Sequence, residues 1–230
     1  MKKNILLIGG SYGIGNALAL KLQDSYNVYV ASRSNEGLTD LNVTHITFDA
    51  SSDSLDITAL PEELHGFVYC PGSINLKPFK MMSVESIATD MQLNFFNLVK
   101  VTKDVMPKMA GGSSIVFFST VAVGTGMPFH TSVASAKGAI EGFAKSMAAE
   151  YAPKIRFNVV APSLVDTPLA SRLLSNDRKR EMMAERHPLK RFGKAEDIAA
   201  AAAFLLSDES SWMTGQILGV DGGLSTLNVN

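Results

Sequence analysis

The chain holds few of the features that would crosslink it or anchor it in lipid. Its 230 residues include one cysteine, Cys70, which excludes an intrachain disulfide. The apolar Gly66-Phe67-Val68-Tyr69 before it reads as a buried strand end, and a reducing compartment fits best. The apolar run behind Lys2 and Lys3, Ile5 to Ile8, stops at two glycines, too short for a secretion signal or a membrane span, so the cytoplasm is the expected location. A net excess of charge is also lacking: 21 Lys and Arg against 22 Asp and Glu leave a formal net charge of -1. That balance gives no general attraction to nucleic acid or anionic membranes, and neither is expected as a partner. Cys and His do not recur at metal-ligating spacings, no Gly-x-Ser-x-Gly elbow marks a hydrolase, and no repeat or low-complexity linker divides the chain.

What is present is a large apolar fraction, 46% of residues, enough for a sizeable core in one domain expected to span residues 1–230. Short apolar runs alternate with helical patterns from end to end. The runs at Asn4–Ile8, Val28–Ala31, Thr44–Asp49, Gly66–Cys70, Ser113–Phe118, Ile155–Ala161 and Gln216–Gly223 read as strands. Helical stretches are expected over 16–23, 83–109, 131–150 and 195–206, with Pro107 and Pro153 as stop signals and Gly111-Gly112 closing the second. Strict alternation implies an α/β fold, a doubly wound parallel sheet of about seven strands with helices on both faces.

The first turn carries the strongest local signal. Gly9, Ser11, Tyr12, Gly13, Ile14 and Gly15 sit between an apolar strand and a helix, where glycines let backbone approach a pyrophosphate and the helix N-terminus favours its charge. At the end of the second strand stand Ser32 and Arg33, with no acidic residue to repel a 2′-phosphate, so NADP is expected over NAD. The bland reading of Arg33 is an exposed loop arginine. Asp49 and Ala50 close the third strand, and Pro71 and Gly72 turn the chain after the fourth. Asn94 is a polar amide on a largely apolar helix, satisfying backbone or reaching toward the site. His45 reads as structural or solvated. The segment from Ser171 to Lys194 holds eight Lys or Arg against three Asp or Glu. It reads as a substrate lid or as an exposed amphipathic helix with ion pairs such as Arg178 to Glu181.

These motifs together resemble the short-chain dehydrogenase/reductase family over essentially the whole length. Gly9-x-x-x-Gly13-Ile14-Gly15 is similar to its cofactor turn, Asp49 to its adenine-contacting aspartate, and Asn94 and Lys137 to two members of its catalytic tetrad. Pro162 through Thr167 resembles the loop that holds the nicotinamide amide and phosphates, with Ser163 where glycine is usual. The ending Val220-Asp221-Gly222-Gly223 is typical of the family. The resemblance implies a Rossmann-type fold and NADP(H) held by the residues above together with Asn94, Lys137, Pro162, Val165 and Thr167. It also implies a small-molecule substrate and a homo-oligomer, dimer or tetramer, for which the small Gly138, Gly142 and Ala149 are suited.

The departures fall on the reaction centre. In the family a tyrosine four residues before the lysine protonates the substrate oxygen; here that position is Val133, and the serine position is Thr120. Enoyl-acyl-carrier-protein reductases instead place their tyrosine seven residues before the lysine, where this chain has His130. Dienoyl-CoA reductases also lack the usual tyrosine, and Val133-Ala134-Ser135-Ala136 resembles the run before their lysine. The expected catalytic set is Lys137, Asn94, Thr120 and His130, in an NADP(H)-dependent oxidoreductase of a carbonyl or an enoyl-type double bond. The alternative is a cofactor-binding protein with impaired catalysis, acting as a redox sensor or scaffold.

Overall fold

Side chains that alternate along a strand explain how one sheet is covered on both faces. In β1 (Asn4–Ile8) Ile5 and Leu7 enter one apolar layer while Leu6 and Ile8 enter the other, and none is more than 1% exposed. The computed structural model describes residues 2–228; residue 1 and residues 229–230 of the expected 1–230 unit lie outside the described residues.

The strands that follow are β2 (Asn27–Ser32), β3 (Thr44–Thr47), β4 (Leu64–Tyr69), β5 (Met109–Phe118) and β6 (Ile155–Pro162). Two short strands, β7 (Val165–Asp166) and β8 (Gly193–Lys194), pair with each other, and β9 (Ile217–Val220) completes the main sheet. Its order is β3-β2-β1-β4-β5-β6-β9, parallel at every pairing. Because β1 pairs with β2 on one edge and β4 on the other, the winding reverses between β1 and β4. The crevice beyond their carboxyl ends is where such sheets bind ligands.

Helices α1 (Gly13–Leu22), α2 (Val84–Met91), α3 (Asn97–Val105), α4 (Ala122–Thr125), α5 (Thr131–Tyr151), α6 (Asp177–Glu185) and α7 (Ala195–Leu206) cover the strands. Leu98, Val101 and Val105 of α3 and Ile140, Ala144 and Ala148 of α5 meet Phe67, Phe117 and Phe157 on one face. Leu18 and Leu22 of α1 and Ile198, Ala202 and Leu205 of α7 meet Val30, Val68 and Val116 on the other. Phe67 and Phe117 pack edge to face with ring centroids 6.2 Å apart, and burying each such ring contributes roughly 1.5–3 kcal/mol.

The expected fold class is the observed one, but three local expectations need correction. The helix expected over 83–109 is broken into α2 and α3 by a wider turn at Gln92–Phe96, in which the Asn97 N–H reaches back five residues to Gln92. It ends at Val105, because Pro107 cannot continue the ladder and Met109 is already extended and paired with Leu64, so Gly111 and Gly112 lie inside β5. Between β5 and α5 the chain forms one further helical turn, α4, that the apolar patterning does not mark. Around α6 the ion pairs of the described residues are Arg180–Asp166, Lys190–Glu185 and Arg191–Asp197, and Arg178–Glu181 is not among them.

Candidate active site

Two cavities, of about 260 and about 250 Å³, adjoin beyond the carboxyl ends of the strands and share Ile14, Cys70, Gly72, Thr167 and Leu169 as a common wall. The first is a trough lined by Gly9, Ser11, Tyr12, Gly13, Ile14 and Gly15 from the first turn, Ser32 and Arg33 after β2, Asp49 and Ala50 after β3, and Pro71 and Gly72 after β4. Its floor is bare backbone. A side chain on Gly15 would collide with the carbonyl oxygen of Gly9, so only glycine allows the turn to close there. Tyr12 precedes α1 without a side-chain cap, which leaves the first N–H groups of that helix directed outward with their positive dipole end.

The polar residues along the trough are held differently. Ser32 donates its hydroxyl to the Ser34 carbonyl at 2.8 Å and lies 3.2 Å from the His45 ring, which makes His45 a structural partner of this strand end. Arg33 is exposed and enters none of the ion pairs among the described residues. Asp49 accepts the Ser51 N–H at 2.8 Å, and its own N–H donates to Asp53 at 2.7 Å. Across the trough Thr167 lies against Gly13, which brings the loop after β6 over the first turn.

The second cavity is mostly apolar and contains Thr120, His130, Val133 and Lys137 together with Pro162, Ser163 and Val165. Val133 is buried at 6% exposure, so the position four residues before the lysine faces this space with a side chain that cannot donate a proton. Thr120 accepts the Ala122 N–H at 3.3 Å, and its own proton has no acceptor among the described residues. His130 stands just before α5 rather than inside it. Its Nδ1 is 2.8 Å from the Pro128 carbonyl, which assigns the proton of a neutral ring to Nδ1 and leaves Nε2 as the free nitrogen. His130 is thus the residue before the helix that carries Lys137, and both side chains line the cavity.

Lys137 is buried and donates to the Phe118 carbonyl at 3.0 Å. Burial lowers its pKa to about 8, against the opposing influence of the Cys70 thiol, which burial pushes up to about 12. Gly72 is close to both partners: a β-carbon there would lie 3.1 Å from Asn94 Oδ1 and 3.3 Å from Lys137 Nζ. Asn94 is fully buried and lines neither cavity. Its amide donates to the Asp90 carbonyl and the Ser73 hydroxyl, both at 2.8 Å, and its oxygen accepts the Ser73 N–H. Asn94 thus holds the turn after β4 and does not line the cavity.

Two groupings escaped the sequence reading. The Asp90 carboxylate accepts from Ser73 at 2.7 Å, from Asn75 at 3.0 Å and from Ser132 of α5, tying the turn after β4 to the helix that carries Lys137. The Ser163 hydroxyl lies 2.9 Å from His187 Nε2, and His187 Nδ1 is 2.8 Å from the Met183 carbonyl. No local pattern announces either, since the partners are far apart in sequence; Ser163 alone left a trace, as a departure from the usual glycine.

Over residues 10–225 the chain matches the family described as Enoyl-(Acyl carrier protein) reductase. It is 32% identical to the 3-oxoacyl-[acyl-carrier-protein] reductase of Homo sapiens over 243 aligned residues, covering 99% of this chain and 100% of that one. A stretch of 130 residues is 41% identical to the corresponding reductase of Thermotoga maritima and spans 56% of this chain and 52% of the relative. Among solved structures, a glucose/ribitol dehydrogenase of the short-chain type from Brucella melitensis superposes with a TM-score of 0.90 at 29% identity, covering 98% of this chain and 97% of the other.

Proposed function

The chain belongs to the short-chain dehydrogenase/reductase family of oxidoreductases, and on that premise we propose that it is an NADP(H)-dependent reductase of a small molecule. The reacting group is a carbonyl or, favoured by the apolar residue at position 133, an activated enoyl-type double bond. The chain works as a single dinucleotide-binding domain, in the cytoplasm, as a dimer or tetramer. The observation that carries this reading is the common wall of the two cavities, where a bare glycine trough meets an apolar chamber beside Gly72 and Lys137.

The trough suits a dinucleotide. The close approach at Gly15 and the uncapped start of α1 suit a diphosphate, and Ser32 with Arg33 suits a 2′-phosphate better than a free hydroxyl. Asp49 and Ala50 are assigned to the adenine end; Pro71, Gly72, Pro162, Val165 and Thr167 to the nicotinamide end. When bound, the dihydronicotinamide supplies a hydride. Lys137 donates hydrogen bonds to the ribose, and Asn94 positions the turn at Ser73 against it. Thr120 offers its free hydroxyl proton to the oxygen where charge develops, and His130 exposes Nε2 to the same chamber. Reduction of a conjugated double bond passes through a delocalised enolate, which needs such oxyanion donors more than an immediate strong acid.

Turnover of NADPH with a panel of enoyl thioesters, enones and ketones tests this reading. Activity on at least one of them that is lost in Lys137→Ala is the expected result. The buried Val133 favours a second reading, a cofactor-binding protein without catalysis. That reading predicts calorimetric NADPH binding with no nicotinamide oxidation on any substrate.

A further inference from the structure

Val133 removes the phenolic proton source from one part of the chamber, yet a hydroxyl backed by an imidazole stands elsewhere in its lining. Ser163 occupies the position where glycine is expected, is half-buried, and shares the chamber lining with Val133, Thr120 and Lys137. Its Oγ is 2.9 Å from Nε2 of His187, which is only 3% exposed and lies just beyond α6. The other ring nitrogen is 2.8 Å from the Met183 carbonyl. A carbonyl can only accept, so Nδ1 carries a proton in either ring state and Nε2 is the nitrogen that changes. In the neutral ring Ser163 donates to Nε2; in the imidazolium, Nε2–H donates to Ser163 and frees the serine proton for a further acceptor.

We propose that Ser163 and His187 form the proton relay of this site, taking the place of the tyrosine that Val133 has replaced. The proposal rests on the oxidoreductase reading above. In reduction, a bound dihydronicotinamide would supply the hydride that forms a C–H bond at the electrophilic carbon, and the displaced π electrons would collect on the substrate oxygen. Ser163 Oγ–H protonates that oxygen as His187 Nε2–H reprotonates Ser163, leaving neutral His187. Oxidation runs the same transfers backwards, with neutral His187 accepting the proton through Ser163. Ser163 touches substrate; His187 acts through it.

A third, smaller cavity is also lined by Ser163 and His187, together with Asp221, Arg191 and Asp197, and offers a route for restoring the ring proton from water. The charges around His187 are these. Asp221 follows β9, its carboxylate held by the N–H groups of Gly223 and Ser225 and lowered in pKa in spite of its burial. Arg191 and Asp197 neutralise each other at 2.6 Å. Arg186 precedes His187 in the chain, and Lys137 lies across the chamber.

The test compares wild type with Ser163→Ala, Ser163→Gly and His187→Asn, reading turnover, NADPH affinity and histidine NMR titrations of the cofactor-free protein. Ser163→Ala and Ser163→Gly are expected to lower kcat/KM by at least about 100-fold, the usual scale of a positioned acid–base group, while NADPH affinity changes less than about threefold. Reduction by wild type should fall above the pKa at which the His187 NMR signal titrates, and oxidation should fall below it. Both limbs should vanish in Ser163→Ala. If His187→Asn does not fold, the two Ser163 variants carry the test alone. Ser163→Ala with turnover within about threefold of wild type, or with both pH limbs of wild type retained, overturns the relay and leaves the oxidoreductase reading standing. Wild type that binds NADPH and reduces nothing overturns both.

Discussion

Lys137 concentrates the electrostatics of this site in one buried ammonium. Its pKa falls from 10.5 to about 8, chiefly because burial removes water from the charged form. Between those values the unfolded chain keeps the proton and the folded chain releases it, so the stability of the free protein rises with pH through that window. Below about 8 both states are protonated, and the full cost of burying the charge, ~3 kcal/mol, remains. Lys137→Met should therefore be more stable than wild type near neutral pH, with the advantage shrinking toward pH 10.5. Urea unfolding of both proteins at about pH 7.5 and about pH 10 measures it; a difference independent of pH would contradict the assignment. The same residue view explains what sequence reading reached. Lys137 and Val133 are named through the family resemblance, and since four residues return a helix to one face, both do line the chamber.

Single elements carry the next level of organisation, and their ends matter most. The last carbonyls of α7 cannot be satisfied within the helix, and Arg156 of β6 supplies the missing donors. It reaches the carbonyl oxygens of Leu205, Ser207, Ser210 and Met213 at 2.9–3.3 Å, binding helix terminus, following turn and sheet together. Burial lowers the pKa of this guanidinium, with Asp208 opposing the shift. Arg156→Ala should cost about 2–3 kcal/mol in urea unfolding, and Arg156→Lys should recover only part, since an ammonium lacks the planar fork that serves several carbonyls. The break between α2 and α3 is another event of this scale. Apolar periodicity over 83–109 reads as one helix because the period is almost unchanged. The amide of Asn94 takes the Asp90 carbonyl four residues back, a side-chain contact that a pattern of apolar positions does not encode.

The whole molecule joins a cofactor trough, a reaction chamber and a third cavity around the switch point of one sheet, so binding in the trough should stabilise the entire fold by mass action. If Arg33 recognises the 2′-phosphate, Arg33→Ala should weaken NADPH by about 1.5–3 kcal/mol and leave NADH nearly unchanged. Thermal shifts with each cofactor, titrated in wild type and variant, read this directly; equal losses for both would refute it. What the sequence by itself determined was the alternation of strand and helix and the glycine turn, while the family resemblance it carries marked Lys137, Val133 and Thr120. The first two are products of local physics, in which side-chain period and backbone freedom act within a few residues. Tertiary structure alone decided that Asn94 lies behind the wall, that His130 stands just before α5, and that distant polar groups converge. Ser132 meets Asp90 across 42 residues and Ser163 meets His187 across 24. Such contacts arise only when burial removes water from polar groups whose chain segments were brought together by the packing of apolar ones, and each group must then find a partner wherever the fold has left one.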